Sequence, residues 1–191
     1  MRKIVCYYTN WSQYRTKIGK FVPEDIPADL CTHLIYAFGW LKKGRLSSFE
    51  SNDETKDGVP GFYEKVVGLK KTNPKLKVLL AIGGWSFGTQ KFKEMATSRY
   101  ARQTFIYSAI NFLRKRGFDG LDMDWEYPKG NDDKKNFVLL LKVLINRNTQ
   151  STNNTPSTIQ PIHERTKQLQ LPTILAQNVK DCRNFLQKFW P

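Results

Sequence analysis

Asp119-Gly120-Leu121-Asp122-Met123-Asp124-Trp125-Glu126-Tyr127-Pro128 alternates acidic and apolar side chains and stops at a proline. On an extended strand successive side chains leave opposite faces, so Asp122, Asp124 and Glu126 share one side, about 6.6 Å apart per pair. Leu121, Met123 and Trp125 take the other side and need cover, which argues against a solvated edge strand. Three carboxyls this close cannot all ionise cheaply, so one proton is expected to stay bound near neutral pH. A carboxyl protonated there is what a general acid needs, and Glu126, last on the predicted strand Phe118–Glu126, is the expected acid. Glycoside hydrolysis uses such carboxyls, one protonating the leaving oxygen while another group stabilises charge at the sugar carbon.

Two rivals weigh less. Asp122-Met123-Asp124 resembles the metal-holding pair of nucleotide-sugar transferases, a reading that predicts loss of activity to chelators. A calcium loop needs glycine at its sixth position, where Tyr127 stands, and a flexible loop in place of a strand.

Outward from this stretch, Lys3–Thr9, Thr32–Phe38 and Lys77–Ile82 also read as strands. Val78-Leu79-Leu80-Ala81-Ile82 is the continuous apolar run of a parallel strand covered on both faces. Pro60–Lys71 and Arg102–Lys115 show helical spacing, the first through Tyr63, Val66, Val67 and Lys70, the second through Phe105, Ala109, Phe112 and Leu113. Asp133–Ile145 continues as an apolar helix through Phe137, Leu140, Leu141 and Leu144. The class is α/β with right-handed crossovers. Chemistry gathered at the C-terminal ends of several strands favours a (β/α)8 barrel over a doubly wound sheet, yet about four βα units account for only part of one, since a full barrel takes about 250 residues.

The bulk properties fit a globular chain. Of 191 residues, 40% are hydrophobic and 13% aromatic, with no apolar run near the roughly 18 residues of a membrane span. No secretory signal is visible at the start. The net charge of +14 would suit nucleic acid, but the basic residues are dispersed, with only short clusters such as Arg114-Lys115-Arg116, so solvated helix faces are the reading. Neither a nucleic-acid nor a membrane partner is expected. Cys6 and Cys31 lie in neighbouring strand-like segments where a bridge is geometrically possible, and two buried thiols fit the spacing as well. Cys182 would be left over.

With Asp119, Asp122, Asp124 and Glu126 matching Asp-x-x-Asp-x-Asp-x-Glu, the sequence resembles the chitinases and chitinase-like lectins of glycoside hydrolase family 18. The likeness runs from about Ile4 to Leu144, through Cys6-Tyr7-Tyr8-Thr9-Asn10-Trp11, Thr32-His33-Leu34-Ile35-Tyr36-Ala37-Phe38 and Leu79-Leu80-Ala81-Ile82-Gly83-Gly84-Trp85, and is closest to the animal branch. The resemblance implies retaining hydrolysis of β-1,4-linked N-acetylglucosamine polymers, the substrate's acetamido oxygen replacing an enzyme nucleophile. Glu126 would donate the proton, Asp124 would orient the acetamido group, and Asp122 would exchange a hydrogen bond with Asp124. Tyr7, Trp11, Phe38 and Trp85 match groove aromatics, and contacts carry over to Glu50, Ser51, Gly83, Gly84, Ser86 and Tyr127. Ser51 departs from the tryptophan common in mammalian relatives.

The resemblance also implies a Cys6–Cys31 disulfide, a secreted parent, no metal or other cofactor, and a monomer whose partner is chitin or a chito-oligosaccharide. A non-catalytic chitin-binding lectin is the alternative. After Leu144 no Met-x-Tyr-Asp strand, final-strand tryptophan or further strand–helix unit is found. Residues 1–145 are therefore expected to form an N-terminal half barrel, doubtful in activity by itself, and 146–191 a low-complexity or disordered tail unrelated to the family.

Overall fold

The computed structural model describes residues 2–153, with the backbone alone described for 146–153. Expectations about the rest of the 146–191 segment, including Cys182, lie outside the described residues. Among the described residues there are five strands: β1 (Val5–Thr9), β2 (His33–Lys42), β3 (Arg45–Ser47), β4 (Lys77–Gly83) and β5 (Gly120–Asp124). Four α-helices alternate with them along the described chain: α1 (Phe62–Gly68) after β3, α2 (Thr89–Ala96) and α3 (Arg99–Arg116) between β4 and β5, and α4 (Gly130–Asn153) after β5.

The strands β1, β2, β4 and β5 lie side by side in that order, all parallel, and β3 folds back antiparallel on the end of β2. The sequence reading finds the four parallel strands and misses β3. A three-residue strand carries too little pattern to be read, and its turn is Lys43-Gly44 in place of the usual Asn-Gly. Both turn residues have positive φ, 51° and 73°, as a tight two-residue hairpin requires.

Alternation along the strands divides the core. Leu34 and Tyr36 of β2, Val78, Leu80 and Ile82 of β4, and Leu121 of β5 join one cluster with Phe105, Ala109 and Leu113 of α3 and Leu140 and Leu144 of α4. The opposite face carries a smaller cluster, Ile35, Ala37, Leu79 and Ala81. Helices cover the first face, and the second is the concave side of a curved sheet.

One hydrogen bond demonstrates that curvature. The Tyr7 hydroxyl of β1 donates to Asp122 Oδ2 of β5 at 2.8 Å, although two strands stand between them. On a flat sheet three interstrand steps of about 4.8 Å would separate those strands by roughly 14 Å. The sheet therefore bends as a barrel wall does, and the small Ala37 and Ala81 leave room between.

Local chemistry explains the helix limits. Ser98 caps α3 by accepting from the Ala101 N–H at 3.0 Å, and Gly117 ends it in the left-handed region at φ 76°. Arg114, Lys115 and Arg116 fill the last turn, where the helix dipole favours cations. The predicted helix Pro60–Lys71 is in fact α1 followed by a tighter 3-10 turn, Leu69–Lys71. The helix expected over Asp133–Ile145 extends at both ends, to Gly130 and Asn153, so backbone helix crosses the expected 145/146 boundary.

Cys6 and Cys31 form a disulfide with Cα atoms 6.1 Å apart, settling the choice that spacing left open. It closes a loop across the start of β1. The chain-entropy model assigns such a closure about 3 kcal/mol. Replacing both cysteines by serine should therefore lower the melting temperature by roughly 6–12 °C, measured by thermal denaturation under non-reducing conditions; an unchanged midpoint would remove the bridge from the stability argument.

Candidate active site

β5 presents Asp122 and Asp124 to the concave face while Leu121 packs among the helices. The strand ends at Asp124, so Glu126 is not its last residue as expected but sits in the bend beyond, half-buried. The strand stops because the chain turns here toward Pro128 and α4. Trp125 anchors the turn: it stacks on Phe92 of α2 with ring centroids 5.1 Å apart, and its indole N–H donates to Thr89 Oγ1 at 2.7 Å.

The three carboxyls nonetheless act on one another. Asp124 is pushed up to about 6, first by burial and then by the charges of Glu126 and Asp122. Burial also raises Asp122, against the opposing hydrogen bond from Tyr7. Like-charge crowding thus contributes at Asp124, second to burial, while the rise at Asp122 comes from burial. Asp122 Oδ2 accepts the hydrogen bond from the Tyr7 hydroxyl.

A raised carboxyl means that the folded state holds its proton more tightly than the unfolded chain. Asp124 thus favours folding below its unfolded value near 4, and that contribution is lost as pH rises through about 6. Asp124→Asn should flatten the decline in melting temperature between about pH 4 and pH 6. Melting curves across that range check it, and an undiminished slope in the variant would contradict the assignment.

Beside the carboxyls the end of β4 runs into Gly83 and Gly84. The Gly84 N–H donates to the Asp124 carbonyl at 2.9 Å. A Cβ on Gly83, whose φ is 127°, would lie 1.9 Å from that same oxygen, so only glycine permits this approach of β4 to β5. A Cβ on Gly84 would strike the Phe38 ring at 2.8 Å.

From this crossing opens a cavity of about 440 Å3, within the usual range for small-molecule sites. Six of its lining residues were expected as sugar contacts: Trp11, Phe38, Gly83, Gly84, Trp85 and Ser86. Trp11 and Phe38 are stacked, 6.0 Å between centroids and 14° between planes, and Trp85 is 80% exposed, free to offer a flat face. Asn10, Trp40, Phe49 and Phe87 complete the lining and are missed by the sequence reading. Trp40 is missed because β2 is read as ending at Phe38, whereas it continues to Lys42 after a register shift between Tyr36 and Gly39.

The other expected contacts sit nearby but do not line the cavity. Tyr7 is about half exposed on the concave face, held to Asp122. Glu50 and Ser51 follow β3, not β2 directly, and Glu50 Oε2 accepts from the Tyr14 hydroxyl at 2.9 Å. Tyr127 is half exposed beside Glu126. Asp119, though part of the motif, is at the opposite end of β5, paired with Lys70 at 3.0 Å and Lys77 at 3.6 Å. Among the described residues, no group of three or more His, Cys, Asp or Glu is arranged to hold a metal ion, and no helix is long and apolar enough to cross a membrane.

Comparison with known proteins places this architecture. Mouse (Mus musculus) Chitotriosidase-1 is 51% identical over 146 residues, covering 74% of this chain and 30% of that protein. A probable endochitinase of Caenorhabditis elegans is 50% identical over 141 residues, covering 73% of this chain and 23% of that protein. Among solved structures, human YKL-39, described as a pseudo-chitinase with retained chitooligosaccharide binding properties, superposes with a TM-score of 0.72 at 40% identity. That match covers 81% of this chain and 41% of the other. The Group IV chitinase of Ostrinia furnacalis, solved with allosamidin, gives 0.71 at 39%, covering 78% and 41%. The chain thus spans less than half the length of these relatives. The family model for glycosyl hydrolases family 18 matches residues 3–189, and together with the parallel sheet and its carboxyl-bearing strand this shows that the chain belongs to that family.

Proposed function

We propose that the chain is a chitinase-type hydrolase that cleaves β-1,4-linked N-acetylglucosamine polymers with retention at the sugar carbon. The observation that carries this is the placement of Asp122, Asp124 and Glu126 within charge range of one another at the mouth of a curved sheet, beside an aromatic cavity.

In the proposed reaction Glu126 gives its proton to the glycosidic oxygen as the bond from that oxygen to C1 breaks, the electron pair leaving with the oxygen. The substrate's acetamido oxygen bonds to C1, forming an oxazolinium. Asp124, its carboxyl raised to about 6, hydrogen-bonds the acetamido group and fixes it for this attack. Asp122 is fixed by Tyr7 and spreads the charge of the pair. Water then attacks C1 on the face the leaving group vacated as the C1–O bond of the oxazolinium breaks, its electron pair returning to the acetamido oxygen, and the water's spare proton passes to the Glu126 carboxylate, giving net retention. Trp11, Phe38 and Trp85 stack on sugar rings, with Glu50, Ser51, Gly83, Gly84, Ser86 and Tyr127 as surrounding contacts. The disulfide and the animal relatives support an extracellular location.

The test is incubation with a soluble chito-oligosaccharide, following product by chromatography and its anomeric form by NMR. Release of β-anomeric product supports the proposal, and inverted product contradicts it. A second reading, a chitin-binding lectin, is favoured by the cavity itself, whose lining does not include the carboxyls. Binding without any release would select it.

A further inference from the structure

Asp53 is wholly buried, and the reaction described above makes no use of it. Its carboxylate is met by neutral donors from two elements. The Tyr36 hydroxyl of β2 donates to Oδ1. The backbone N–H groups of Phe49 and Glu50 donate to Oδ2 at 3.1 and 2.9 Å. The Asp53 carbonyl accepts from the Tyr63 N–H of α1 at 3.1 Å.

These partners border the sugar groove. Tyr36 precedes Phe38 by two residues. Phe49 lines the cavity and packs on Trp40 with centroids 5.0 Å apart, while Glu50 is the residue bonded to Tyr14. We propose that Asp53 is a positioning residue for the groove: its carboxylate fastens the Phe49–Glu50 wall to β2 and thereby sets the distance between Phe49 and the Trp11–Phe38 platform.

A purely structural part fits the chemistry poorly. Burying a carboxylate is costly, and apolar replacements of buried charged groups are often neutral or stabilising. An ionised carboxylate, however, is acceptor-only with room for several donors. It can hold a hydroxyl and two adjacent amides at once, which no apolar side chain does. Burial raises the Asp53 carboxyl on balance, while the hydrogen bonds from Tyr36, Glu50, Phe49 and Asn10 pull the other way.

The inference rests on the groove's role as the sugar site, and its experiment separates the two. Hydrogen exchange on the free chain reads the Phe49 and Glu50 amides without any ligand. In Asp53→Ala their exchange should accelerate at least tenfold over the unmutated chain. Asp53→Asn, which keeps an acceptor, should fall between and stay folded if the alanine variant does not. Chitotetraose affinity, followed by tryptophan fluorescence, should weaken about tenfold in Asp53→Asn while hydrolysis at saturating sugar changes less than twofold. Unaltered exchange at both amides in both variants overturns the proposal, as does a loss confined to the saturated rate. If the unmutated chain binds no sugar, the hydrolase reading fails, and the exchange result alone decides whether Asp53 holds the wall.

Discussion

Glu126→Gln should leave chito-oligosaccharide binding in place while sugar release falls by about 10²–10⁴-fold, the usual contribution of a positioned general acid. The amide matches the carboxyl in shape and still donates a hydrogen bond, but it has no proton to surrender to the departing oxygen. Glu126 stands beyond the end of β5, past Asp124, and its charge is among those that lift Asp124. Removing that charge should also relax Asp124 downward, so whatever rate remains should shift its basic limb to lower pH. Initial rates across pH, with Kd measured on the same preparations, separate the two effects. A variant that retains more than a tenth of the rate would assign the proton to another group.

Much of this arrangement is legible in the sequence because the barrel wall demands strict periodicity. The run from Val78 to Ile82 is apolar at every position since one set of side chains meets the helices and the other the concave face. The same demand makes Asp122 and Asp124 conspicuous: a parallel strand inside a barrel admits charge only on the hollow side. Where periodicity stops, so does the reading. Glu126 continues the alternation in sequence but has left the strand, and what joins it to Asp124 is proximity around a turn.

Trp40 and Phe49 are hidden for a related reason. A register shift and a short hairpin carry them to the groove, and neither leaves a repeat in the sequence. Asp53 lies in Asn52-Asp53-Glu54, a polar run with no apolar periodicity to mark it as buried. Its burial follows from the meeting of that loop with Tyr36, 17 residues away, and local composition carries no trace of such a contact. The Cys6–Cys31 bridge shows the limit from the other direction, because spacing allows it without selecting it: Cys6 lies opposite Leu34 in the register of β1 on β2, and Cys31 reaches it from the segment just before β2.

The motif's first acid should behave unlike the other three. Asp119 is 7% exposed. Its Oδ2 accepts from the Val78 N–H at 2.8 Å and from Lys70 Nζ at 3.0 Å, while the Asp119 N–H donates to the Val78 carbonyl at 2.7 Å. Lys70 also donates to the Gly117 carbonyl at 2.7 Å. One side chain therefore clamps the starts of β4 and β5 to the 3-10 turn after α1, at the end of the sheet away from the cavity. Asp119→Ala would strand the buried Val78 N–H and deprive Lys70 of its carboxylate partner, a loss of about 3–5 kcal/mol. The melting temperature should drop by roughly 6–20 °C. Asp119→Asn keeps an acceptor for Val78 and should cost less than half as much. Because the clamp is remote from the carboxyl cluster, oligosaccharide affinity measured well below the melting point should stay within twofold in both variants. Weakened affinity at full stability would put Asp119 in the sugar site after all, while lowered stability with affinity intact would separate the motif into one structural acid and three that face the sugar.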